Sequence, residues 1–210
     1  MNRLVLLGAM ALLLAGAAVS YGQSPAPEAT ESVEEAAVNP KVLLKTSMGD
    51  IVLELFADKA PVTVENFLGY VDDKFYDGTI FHRIISSFVI QGGGFTPDMV
   101  RKPTKDPIQN ESDNGLGNKR GTIAMARLAA PNSATSQFYI NVKDNPNLDM
   151  TADKPGYCVF GQVIEGMDVI DAMRQVQTAP KPPLPRDVPV ETIELISATR
   201  VVEDGNAREE

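Results

Sequence analysis

From Lys41 onward the chain is built of apolar runs too short for most helices, each closed by Gly, Pro, Asn, Asp or Ser, and this punctuation restricts the fold more than any other feature. "KVLLKTSMGDIVLELF" (41–56) reads as two strands joined by a turn at 48–50. "TIFHRIISSFVIQGGGF" (79–95) is β-branched and aromatic on either side of Ser86 and Ser87, which predicts a second hairpin ending in Gly92, Gly93 and Gly94. Further strands are predicted at "RGTIAMAR" (120–127), "SQFYINV" (136–142) and "YCVFGQVI" (157–164), and the alternation in "VETIELISATRVV" (190–202) predicts a last one. Only two segments carry helical spacing. Pro61 suits a first turn and Val64, Phe67, Leu68 and Val71 follow at i, i+3, i+4, i+7, while Val169, Met173 and Val176 place a second helix over 167–176. Many short strands with two helices predict a mainly β barrel or sandwich, and 43% apolar residues in 210 are enough to fill it. Residues 96–120 and 178–189, rich in Pro, Gly, Asn and Asp, are predicted to be surface loops, the first long enough to have a role beyond connection.

The N-terminus is different in kind. Arg3, an apolar run over 4–19 and the small residues Ser20 and Gly22 predict a signal peptide over 1–22; a buried helix and a retained membrane anchor are the alternatives. The run, about 16 residues, falls short of the ~20 that span a bilayer, so a membrane partner is expected only if the signal is retained. Residues 23–40, "QSPAPEATESVEEAAVNP", carry three prolines, four glutamates and no basic or aromatic residue. They predict a disordered linker, ahead of a folded domain at 41–202 and an acidic disordered tail at 203–210. A net charge of −9 without any Lys/Arg run excludes the clustered cations that nucleic acid requires.

One histidine and one cysteine are too few for a zinc site, and no metal is expected. Cys158, in an apolar run, reads as a small buried hydrophobe. His82 and Arg83 fall on opposite faces of a strand and no Gly-x-Ser-x-Gly elbow exists, which disfavours a Ser-His-Asp triad and leaves His82 as a hydrogen-bonded core residue. Gly92, Gly93 and Gly94 do not open a helix or precede a lysine, so a phosphate cradle is a weak reading. Arg83 is the anomaly. A guanidinium within an apolar stretch must face a cleft or meet a distant partner, and residues 79–95 contain no acid.

Taken together, "FHRII" and "FVIQGGGF" (81–95), "RGTIAMAR" (120–127), "NSATSQFYINV" (132–142), "NLD" (147–149) and "YCVFGQVIEGMDVID" (157–171), with "GDIVLELF" and "TVENF" upstream, resemble the cyclophilins, peptidyl-prolyl cis/trans isomerases, and most closely their bacterial branch. The resemblance spans residues 41–202. It implies a closed eight-stranded antiparallel β-barrel capped by two α-helices, a groove on the outside of the barrel, no cofactor and a monomer. It implies that Arg83 is the catalytic arginine and Gln91 the glutamine that bonds substrate backbone. Phe88, Val89, Tyr139 and Leu148 fall where the proline pocket is built, Ala126 and Arg127 where the backbone pairs with the peptide, Gln137 beside the pocket, and Tyr157 where many relatives have histidine. The partners implied are unfolded or partly folded proteins with X-Pro bonds, and with the signal peptide this suggests an exported, periplasmic folding enzyme. A proline-peptide-binding chaperone module on the same scaffold is the alternative. Asn147 stands where relatives often carry an aromatic ring, which predicts weak inhibition by cyclosporin-type ligands.

Overall fold

The computed structural model describes residues 39–202. The expected signal segment, the expected linker up to residue 38 and the expected tail lie outside the described residues. Strands β1 (Lys41–Thr46) and β2 (Gly49–Leu55) pair as the first hairpin, from Lys41 opposite Glu54 to Thr46 opposite Gly49. Their alternation sends Val42, Leu44, Ile51, Leu53 and Leu55 to the interior. Thr46 closes the turn by donating Oγ1 to the Gly49 carbonyl at 2.6 Å and accepting the Met48 N–H at 3.1 Å.

Helix α1 (Pro61–Asp72) begins on its proline and buries Val64, Phe67, Leu68 and Val71, the stripe read from the sequence, together with Thr63 and Tyr70. No side chain of its own N-cap residue, Ala60, closes it. Glu111, from the 96–120 loop, does so instead: its carboxylate accepts the Val62 and Thr63 N–H groups at 3.1 and 2.8 Å and the Thr63 hydroxyl at 2.6 Å. An anion at this end also suits the helix dipole. Phe67 then packs edge-on against Phe138 and tilted against Phe160, 5.6 and 5.2 Å between ring centroids, at the centre of the core.

The remaining strands are β3 (Thr79–Ile80), β4 (Arg83–Ile84), β5 (Val89–Gly92), β6 (Thr122–Met125), β7 (Phe138–Asn141), β8 (Val159–Glu165), β9 (Thr178–Lys181), β10 (Leu184–Pro189) and β11 (Glu194–Val201). Nine of the eleven strands form one antiparallel sheet in the order β3-β11-β1-β2-β8-β6-β7-β5-β4. The mainly β class with two helices is as expected, but the sheet has nine strands and not eight. The cause is local. β3 and β4, the two ends of the ladder, are separated along the chain only by Phe81 and His82, so the sheet's edges are joined through the chain and not by a ladder of hydrogen bonds.

Two elements depart from the sequence reading. Helix α2 (Met167–Met173) stops three residues early, and its buried residues are Ile170 and Met173, with Val169 and Val176 only partly covered. Gly166, at φ 87°, provides the left-handed turn into it. Residues 178–189, expected as an irregular loop, form a separate hairpin of β9 and β10 despite five prolines. A two-stranded ribbon has no interior strand, so prolines that lack an N–H remain compatible with it. Val188 anchors this hairpin in a small apolar cluster with Ile80, Phe95 and Met99.

Candidate active site

β4 and β5 place Arg83 and Gln91 directly opposite each other. Facing residues on one side of an antiparallel pair are within side-chain reach. Arg83 Nη1 donates to Gln91 Oε1 at 3.3 Å, and Gln91 Nε2 donates to Gln137 Oε1 at 2.9 Å, so three of the expected site residues form one chain of hydrogen bonds. Gly94 makes this possible: a Cβ there would lie 2.5 Å from Gln137 Cγ. Each end of the Gln91 amide keeps one further hydrogen-bonding site. Arg83 is 33% exposed, and its Nε lies 4.0 Å from Asp187 Oδ2 on β10. It is therefore partly exposed and meets a distant acid, the second of the two alternatives the sequence left open.

Beside this chain lies an apolar cluster, distinct from the main core, formed by the buried Val89, Ala124, Tyr139, Leu148 and Val159, with Phe88, Leu116, Ala126 and Tyr157 packed against it. Six expected binding residues, Phe88, Val89, Ala126, Tyr139, Leu148 and Tyr157, thus come together from five separated stretches of chain. Leu148 arrives on a 3-10 turn (Pro146–Leu148) and is fixed by the bond from Tyr157 N–H to its carbonyl, 2.9 Å. The Tyr139 and Tyr157 rings meet edge-on at 5.9 Å. Arg127 stacks on Tyr157 at 4.4 Å and donates to the Gly156, Pro155 and Leu128 carbonyls, which ties the loop at 149–156 to the end of β6. The Ala126 N–H is taken by the Gln137 carbonyl at 2.9 Å, whereas no backbone partner takes the Arg127 N–H or carbonyl among the described residues. Of the two expected positions, Arg127 is the one whose N–H is free to pair with an extended peptide.

Sequence reasoning missed the support beneath the cluster. Tyr139 Oη donates to Asn118 Oδ1 at 2.7 Å, Asn141 Nδ2 donates to Asn118 Oδ1 and Thr122 Oγ1, and Asn145 Nδ2 donates to Asn141 Oδ1 and the Phe88 carbonyl. Asn118 in turn donates to Asp149 Oδ1 through its N–H and its amide. These buried amides link the walls carrying Phe88, Tyr139 and Leu148. Burial pushes the Tyr139 hydroxyl well above its ordinary pKa and keeps it a donor. The available signal was Asn141 within the apolar "FYINV", a polar residue as conspicuous there as Arg83 is in its own stretch.

His82 is 2% exposed with its ring 4.6 Å from Phe95, and burial, then the charges of Arg101 and Arg83, push its pKa down to about 4. It is a core residue, and its Nδ1 has no hydrogen-bond partner among the described residues. Cys158 is buried, 3.4 Å from Thr63 Oγ1, and burial raises its thiol pKa to about 11. Neither group is suited to nucleophilic chemistry at neutral pH. Among the described residues no three His, Cys, Asp or Glu side chains are grouped to hold a metal ion.

Residues 41–199 match the family model described as cyclophilin type peptidyl-prolyl cis-trans isomerase. The chain is 58% identical over 160 residues to a peptidyl-prolyl cis-trans isomerase of Streptomyces antibioticus, covering 75% of this chain and 96% of that protein. It is 52% identical over 161 residues to peptidyl-prolyl cis-trans isomerase B of Escherichia coli K12, covering 75% and 98%. Among solved structures, a cyclophilin type isomerase of Cryptosporidium parvum in the presence of the dipeptide Ala-Pro superposes with a TM-score of 0.66 at 27% identity, over 78% of this chain and 99% of that one.

Proposed function

Since the chain belongs to the cyclophilin-type peptidyl-prolyl cis-trans isomerase family, we propose that it accelerates X-Pro rotation by a hydrogen bond from Arg83 to the prolyl nitrogen of the twisted amide. The X-Pro bond prefers trans by only about 0.5–1 kcal/mol, yet its partial double bond sets a barrier of ~18–20 kcal/mol. No covalent bond need be made or broken. Twisting ends conjugation, and the prolyl nitrogen regains a lone pair that the planar amide lacks. A donor aimed at that nitrogen therefore binds the transition state and not the ground state. Arginine suits this role because it keeps its proton at any physiological pH.

The observation that carries the reading is the Arg83 and Gln91 pair, linked at 3.3 Å, standing beside the apolar cluster of Phe88, Val89, Tyr139 and Leu148. In this assignment the cluster holds the proline ring, while Gln91, oriented by Gln137, and the free backbone of Arg127 hold the flanking residues. Rotation is then confined to one bond. By analogy with oxyanion donors worth ~2.7–4 kcal/mol, Arg83→Ala is expected to lower kcat/KM about 10²- to 10³-fold, and a loss below about fivefold would overturn the assignment.

We further propose that the clients are exported proteins and that the enzyme works in the periplasm. Support comes from the apolar run at 4–19 behind Arg3, followed by small residues. Cell fractionation checks this: recovery of full-length protein with its first 22 residues intact in the cytoplasm would contradict it.

A further inference from the structure

We infer that Asp187, on the proline-rich hairpin, is a positioning residue for Arg83. The inference rests on the reading of Arg83 as donor to the prolyl nitrogen. A guanidinium held at one point only can swing away from the position where its transition-state bond forms, and that bond lowers the barrier only if the donor is already in place. The grip from Gln91 is a single bond of 3.3 Å at Nη1. Asp187 supplies a second contact on the Nε edge, with Oδ2 at 4.0 Å, too long for a hydrogen bond but within range of charge attraction. Among the described residues no acceptor takes Nη2. The two contacts thus fix the guanidinium by one nitrogen of the fork and its Nε, leaving the Nη2 edge for substrate.

The hairpin is built to hold that carboxylate in place. Val188, the next residue, is buried against Ile80, Phe95 and Met99, and pairs with Ala179 across the ribbon, while Val190 N–H bonds the Gln177 carbonyl at its base. Asp187 itself sits at φ 66°, in the left-handed region that Asp and Asn tolerate better than other side chains, within the stretch between Leu184 and Val188 where the ladder register shifts. The carboxylate is 24% exposed. Its other cation, Arg186, lies 3.4 Å away but is 79% exposed, so solvent weakens that pair more than the one with Arg83.

The test is exchange NMR on an Ala-Pro tetrapeptide with the full chain and the variants Asp187→Asn, Asp187→Gly, Asp187→Glu and Arg83→Ala. Asn and Gly both accept the left-handed backbone, so the hairpin is retained while the charge is removed. The expected result is a peptide Kd within about twofold of wild type, on-enzyme isomerisation slowed about 3- to 10-fold, a shifted Arg83 Nε resonance, and partial recovery in Asp187→Glu. If Arg83→Ala abolishes turnover while Asp187→Asn and Asp187→Gly stay within about twofold of wild type, this inference fails and the reading of Arg83 stands. If binding and rate fall together with an unshifted Arg83 resonance, Asp187 only maintains the hairpin and the inference also fails. If Arg83→Ala itself retains turnover, the reading of Arg83 fails and this inference with it.

Discussion

Tyr139 and His82 show how single residues divide between stability and catalysis. The Tyr139 hydroxyl is directed into the buried asparagines and bonds Asn118 at 2.7 Å, so Tyr139→Phe is expected to cost about 1 kcal/mol of stability, a thermal midpoint lower by roughly 2–4 °C, with turnover within about twofold of wild type. A large loss of kcat with an unchanged midpoint would mean that the hydroxyl serves the substrate. His82 gives a pH dependence. Its folded pKa of about 4 lies below the ordinary 6.5, so unfolded chains take up the proton first as the pH falls. Its contribution is complete above pH 6.5 and is lost through the interval down to about pH 4, reaching about 3 kcal/mol at the acid end. Denaturant titrations should therefore show a steeper acid loss for wild type than for His82→Gln, and equal slopes would contradict the assignment. At this scale Arg83 was legible because a permanent charge among isoleucines and phenylalanines demands an explanation. Asp187 and Asn118 were not, since nothing local in "PRDVP" or "GLGNKR" says which distant strand they will meet.

Among the elements, α1 is the clearest case of local sequence deciding structure: proline at the first turn and a regular apolar stripe were enough to place it and its buried face. Its cap was not readable, because Glu111 comes from a loop that approaches only in the folded chain. Glu111→Ala leaves three donors without their acceptor and is expected to cost about 1–2 kcal/mol, lowering the thermal midpoint by roughly 3–6 °C. Unchanged melting would show that solvent replaces the cap. α2 starts where expected and buries Met173 as expected, but it ends three residues early and buries Ile170 in place of the adjacent, equally apolar Val169, a choice only packing makes. The β9 and β10 hairpin was misread because proline density signals irregular chain in a wide sheet, whereas a ribbon anchored by Val188 tolerates it.

Over the whole molecule, the strand count and the two helices made the mainly β architecture legible, and ordered motifs pointed to the cyclophilin family before any geometry was known. What the sequence could not provide was the order of strands, which brings β4, β5, β6 and β7 side by side and so assembles Arg83, Gln91, Gln137 and the apolar cluster on one wall. The packed interior is filled by Phe67, Phe138, Phe160 and their neighbours, while Arg83, Gln91 and the second apolar cluster stand together away from it. Under the proposed mechanism binding and catalysis are separable: the apolar cluster would recognise proline in either isomer, and Arg83 would act on the twisted amide alone. The most direct test is exchange NMR of an Ala-Pro tetrapeptide with wild type and Arg83→Ala, which reads binding and isomerisation in one experiment. The account expects peptide shifts to persist in Arg83→Ala while the cis/trans exchange cross-peaks vanish. Exchange that continues at a comparable rate in the variant would contradict it.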